Sequence, residues 1–93
     1  MVLINPFEVP PDGEDAFLAA WEGAREFLHT QPGYLATRLH RSLSPEADFR
    51  FVNLGRYTSP QAFQAAISQP RFRQAAAAIR HRAHPGLYEV VGR

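Results

Sequence analysis

The chain has 93 residues, 45% of them hydrophobic and 12% aromatic, with a formal net charge of +1; this describes one domain over residues 1–93, near the small end for a self-sufficient core, and excludes a disordered chain. All ten basic residues are arginines, and acids are interleaved among them, so no basic tract points to nucleic acid. Cysteine is absent, which excludes disulfide scaffolds, thiol redox chemistry, iron–sulfur clusters and thiolate zinc.

No apolar run approaches the length of a membrane span, and MVLINPF is not a basic segment followed by an apolar core, so the expectation is a soluble cytoplasmic protein. Val2 to Val9 reads as a first strand with Leu3, Asn5, Phe7 and Val9 on one face. Pro6 within it predicts a bulge or a position whose N–H the ladder does not need. Pro10-Pro11-Asp12-Gly13 is a turn, with Asp12 and Asp15 as acceptors for a helix start. The first helix is predicted over Glu14 to His29. Phe17, Leu18, Trp21, Ala24 and Leu28 form its apolar stripe, and Glu22, Arg25, Glu26 and His29 its wet side. Gln31-Pro32-Gly33 ends that helix.

Tyr34 to Leu43 alternates as a second strand, with Leu35, Thr37, Leu39 and Arg41 on one face. Ser44 to Asp48 connects it to a third. That third strand carries Phe49, Phe51, Asn53, Gly55 and Tyr57 on one face and Arg50, Val52, Leu54 and Arg56 on the other. Ser59-Pro60 opens a second helix, Ser59 as cap and Pro60 where no N–H is missed. The helix is expected to break near Pro70 and restart over Arg71 to Arg80. His84-Pro85-Gly86 then turns the chain into a last strand, Leu87 to Val91.

The order β-α-β-β-α-β predicts a ferredoxin-like α+β fold, an antiparallel sheet ordered 4-1-3-2 with both helices on one face. The uncovered face would carry Ile4, Val52, Leu54, Tyr88 and Val90, rimmed by Arg38, His40, Arg50 and Arg56. So much exposed apolar surface predicts a homodimer through this open face.

The element order and the stretch FRFVNLGRYTSPQAFQAAISQPRF resemble the antibiotic biosynthesis monooxygenase (ABM) domain family. The resemblance rests on Tyr57 ending the third strand, then Ser59-Pro60-Gln61-Ala62-Phe63, then Phe72, and it runs from Val2 to Val91. It implies a dimeric α+β barrel with a pocket between helices and sheet in each subunit. It also implies a monooxygenase working without cofactor on an aromatic, phenolic or quinol small molecule. Haem-degrading relatives use an asparagine on the first strand, matched by Asn5. Their tryptophan is replaced here by Tyr57, and their axial histidine falls at about Ala76, so haem chemistry is disfavoured.

Asn5 and Tyr57 are the candidate catalytic residues. Asn53, Trp21, Phe7, Phe51 and Phe72 are the candidate substrate-binding residues, amide donors among ring-shaped walls. Each has a structural alternative: Asn5 satisfied by backbone, Tyr57 packed with its hydroxyl at the rim, Trp21 and Phe72 in the core. His81 and His84 have helical ligand spacing, but no third ligand accompanies them, and no metal site is assigned. No general base stands out. A non-catalytic ligand-binding or structural dimer is the competing reading.

Overall fold

The computed structural model describes residues Met1–Arg93. Its strands are β1 (Val2–Glu8), β2 (Tyr34–Arg41), β3 (Phe51–Tyr57), β4 (Arg82–Ala83) and β5 (Gly86–Tyr88); its helices are α1 (Glu14–Leu28), α2 (Pro60–Ile67) and α3 (Pro70–Ala76). The antiparallel sheet runs β2-β3-β1-β4, with β5 also on the outer edge of β1. This is the ferredoxin-like order expected, with the last strand in two pieces.

The split explains Pro6. Proline continues the β1–β3 register without a shift, opposite Val52. On the other edge, β4 pairs with Phe7 and Glu8 and β5 with Val2 to Ile4, so the partner strand is interrupted beside Pro6. There the Pro6 carbonyl accepts the His84 N–H at 2.9 Å. A residue without a donor stands where none is needed.

Ser59 caps α2 as predicted, its Oγ accepting the Ala62 N–H at 3.1 Å, and Pro60 opens the helix. The acidic caps expected for α1 do not form: Gly13 is the capping residue, and no side chain bonds the free amides. Glu14 instead accepts from Arg50 at 3.0 Å and from Arg41 at 3.3 Å. Desolvation pushes the Glu14 carboxyl up, but the bonds and charges of Arg50 and Arg41 outweigh it and leave the pKa below the ordinary value. Arg50 also donates to the carbonyls of Ser42 and Ser44. It therefore ties the hairpin to α1 and does not rim the open face. Gly33, after α1, has φ +87°, and a Cβ there would lie 2.5 Å from that of Ala62; glycine fits both the left-handed turn and the close approach of α2.

Four sequence-based expectations shift. A register shift between Tyr34 and Ala36 turns Tyr34 towards Tyr57 and leaves Leu35 exposed, so Leu35 does not share the inner face with Thr37 and Leu39. α3 stops at Ala76, where the amides of Ala78 and Ile79 bond three residues back, tightening the chain out of the helix. β5 ends at Tyr88, so Val90 and Val91 are exposed beyond the sheet, and Val90 drops out of the open-face patch. Phe49 lies before β3 and is exposed.

Between the helices and the sheet are two small clusters. Phe7, Val9, Phe17 and Phe51 form one. Leu3, Tyr57 and Phe63 form the other. The hollow beneath the helices draws walls from both.

Candidate functional site

A cavity of about 370 Å³ opens between the helices and the inner face of the sheet, within the usual range for small-molecule sites. Its floor is the β1–β3 ladder, where Asn5 faces Asn53 directly across the two strands. Trp21, Ala24, Arg25 and Leu28 of α1 form one wall; Phe63, Gln64 and Ile67 of α2, with Phe72 of α3, form another. Ile79, Pro85, Gly86 and Leu87 close the far side. The wall is mainly apolar, and no histidine or carboxylate is part of it.

The two asparagines are its chemical feature. Asn53 is buried and Asn5 half-buried, and Oδ1 of each is shielded from solvent without a hydrogen-bond partner. An unsatisfied buried amide oxygen costs on the order of 1–3 kcal/mol. A core built only for stability would place apolar side chains at both positions. The backbone bond weighed as an alternative for Asn5 does not form. Two adjacent carboxamides thus stand among ring-shaped walls, each with a shielded, unpartnered oxygen and with amide N–H groups that bond no protein atom.

The structure brings Asn5, Asn53, Trp21, Phe7 and Phe72 together around this space. It does not bring Tyr57 or Phe51 there. Phe51 is stacked on Phe17 at 4.8 Å between ring centroids, sealed in the first cluster. Tyr57 is 1% exposed, its ring edge-on to Phe63 at 5.0 Å and to Tyr34 at 5.8 Å. The Tyr57 hydroxyl has no partner, and burial, aided by Tyr34, pushes its pKa up to about 12. As an expected cavity donor it is corrected: it packs behind the wall that Phe63 forms. Gly55 makes this possible, since a Cβ there would stand 3.1 Å from the Tyr57 ring.

Sequence reasoning missed Arg25, Thr37 and Gln64 on the cavity wall. By its charge Arg25 is expected to face water; it lies four residues after Trp21 and three before Leu28, a spacing that shares the cavity face. The expected helical spacing of His81 and His84 is absent, because α3 ends at Ala76. His84 bonds Glu8 at 2.6 Å, and the His81 ring lies edge-on to Phe17 at 6.2 Å. No cluster of three or more histidine or carboxylate side chains is placed to hold a metal ion. Ala76 is not on the cavity wall, nor is any histidine, so the residues do not fit an axially ligated haem. No helix is long and apolar enough to cross a membrane.

The sequence model of the antibiotic biosynthesis monooxygenase family matches residues 1–78. Among solved structures, a candidate monooxygenase from Shewanella loihica PV-4 is 37% identical, with 99% of this chain and 94% of that one covered and a TM-score of 0.87. An asparagine-to-alanine variant of SnoaB, a cofactor-independent oxygenase from Streptomyces nogalater, is 26% identical over 99% and 93% of the two chains, with a TM-score of 0.86. A dimeric ferredoxin-like protein from Jannaschia sp. CCS1 shares the fold at 17% identity, 96% and 97% coverage and a TM-score of 0.80. No curated protein matches the sequence. With the family's pattern spanning most of the chain and a 37%-identical relative superposing along its length, this protein belongs to the antibiotic biosynthesis monooxygenase family.

Proposed function

We propose that this protein is a cofactor-independent monooxygenase of a phenolic or quinol aromatic molecule, bound between helices and sheet in each subunit of a homodimer. The observation that carries the reading is the Asn5–Asn53 pair, two unsatisfied carboxamides side by side in an otherwise apolar hollow. The description of SnoaB as a cofactor-independent oxygenase supports the class of reaction.

The substrate supplies the electrons. In an anthrone-like ring system, loss of a methylene proton leaves a delocalised anion with its charge on the ring oxygen. Amide donors of Asn5 and Asn53 hold that oxyanion, and the rings of Phe7, Trp21 and Phe72 keep water from it. The anion passes an electron to O₂, the radical pair joins at the methylene carbon, and the resulting hydroperoxide sheds water. One oxygen atom becomes the new carbonyl and the other leaves as water, which carries the second methylene hydrogen and one proton taken back from solvent by the peroxide. That carbon provides all four electrons. The first proton leaves through the mouth to solvent.

Oxygen uptake by the purified protein with anthrone, followed by mass spectrometry of the product, tests this. Asn5→Ala and Asn53→Ala are each expected to lower the rate by about 10²-fold, the effect of removing one oxyanion donor. No uptake across anthrones, phenols and quinols would favour the second reading, a ligand-binding protein without turnover. One observation speaks for that reading: no side chain on the wall can act as a general base at neutral pH.

The dimer rests on the open sheet face. Ile4 faces Leu54 and Pro6 faces Val52 across β1 and β3, and Val2 faces Tyr88 of β5. Leu54 and Tyr88 are exposed in the single chain. Light scattering of the native protein should report twice the chain mass, and Leu54→Arg should halve it by placing a charge at the centre of the contact.

A further inference from the structure

Arg25 is the single charged residue on the cavity wall. It shares the inner face of α1 with Trp21 and Leu28, which line the same space. Its Nη1 donates to the Glu22 carboxylate at 3.1 Å, one turn back. Glu22 lies outside the cavity, and Nε and Nη2 of Arg25 have no protein acceptor. The Arg25 side chain lines the cavity and is also 36% exposed, so it stands where the wall meets solvent, at the mouth.

Glu22, half in solvent, orients the fork without filling it. A neutral ligand covering this mouth would strip water from the free guanidinium nitrogens and return nothing. An anionic oxygen pair in the same place would replace those bonds with charge-assisted, bidentate ones. Nothing else on the wall selects by charge. The amide N–H groups of Asn5 and Asn53 donate to neutral and ionised oxygens alike.

We infer that the ligand is an aromatic acid, its ring and reactive oxygen in the hollow and its acidic substituent, a carboxylate or its equivalent, held by Arg25 at the mouth. This rests on the reading of the cavity as an aromatic-binding site and names the class of aromatic it selects. Arg25 is on this account a positioning residue, acting on a part of the substrate that does not react.

Equilibrium binding without turnover tests it. At pH 7 the carboxyl of 6-hydroxy-2-naphthoate is ionised and 2-naphthol is neutral. Calorimetry on the native protein should show the naphthoate bound about tenfold more tightly than the naphthol, one charge-assisted pair at a partly covered site. Raising salt to about 0.5 M should erode that preference. Arg25→Gln should bring the ratio of the two affinities close to one, and Arg25→Lys should keep part of it, having charge without the fork. Equal affinities in the native protein, or a preference that survives Arg25→Gln, would overturn the assignment while leaving the aromatic cavity standing. Failure of both ligands to bind would bring down the cavity reading itself. If Arg25→Gln does not fold, Arg25→Lys and the salt series decide: a preference untouched by either counts against Arg25.

Discussion

Two adjacent rungs of one ladder meet opposite fates. Phe7 faces Phe51 across β1 and β3, and two residues along, on the same face, Asn5 faces Asn53. Over the first rung α1 lowers Phe17, whose ring is 4.9 Å from Phe7 and 4.8 Å from Phe51 between centroids. Over the second rung it brings Trp21 and Arg25, which stop at the edge of a hollow. The same strands and the same helix thus yield a solid end and an open one. What differs is which side chains the floor offers to be covered: rings attract a third ring, while carboxamides leave a space that an apolar side chain fills only at the cost of burying their polarity.

The contrast predicts opposite responses to substitution. Phe17→Ala removes a 1%-exposed ring from the solid end and should cost about 3–5 kcal/mol in chemical denaturation, a large part of the stability of a domain this size. Asn53→Leu works the other way. Replacing an unsatisfied amide by an apolar side chain facing the hollow should raise stability by about 1–2 kcal/mol while abolishing uptake and weakening ligand binding. A loss of stability from Asn53→Leu would show that the amide is satisfied in the free protein and that the open end is structural.

Much of this was legible beforehand, for reasons the two rungs make plain. Period-two alternation places Asn5, Phe7, Phe51 and Asn53 on one face, and the β-α-β-β-α-β order makes their strands neighbours. That the asparagines pair directly depends on the register. Periodicity also identified Trp21 on the inner stripe, but it classified Arg25 by chemical type and so turned it outward. A long side chain can hold its stem along the wall and its head in water, and no sequence window separates that from full exposure. The bulge at Leu35 has no cue in composition, and the division of the last strand depends on how His84 and Pro85 sit beside Pro6. Tyr57 was placed on the right face, yet it lies one rung too far along. Beyond Gly55 the strand runs under α2, and Phe63 covers the ring before it reaches the hollow.

Tyr57 gives the smallest effect and the sharpest separation between wall and backing. Its hydroxyl is buried without a partner, so Tyr57→Phe removes an unsatisfied group from a site the remaining ring still fills. Stability at pH 7 should stay level or rise by about 1 kcal/mol, and anthrone oxygenation should continue. Alkaline pH magnifies the difference. The folded pKa lies at about 12, above the ordinary value of 10, so between those values the unfolded tyrosine gives up its proton and the folded one keeps it. The native protein therefore loses stability as pH rises from 10 towards 12, and the phenylalanine variant escapes that loss from this position. Urea midpoints of the two proteins should diverge above pH 10, with the variant the more resistant. A variant that instead loses oxygen uptake at pH 7 while keeping its stability would move Tyr57 into the reaction and make the Phe63 wall a movable one.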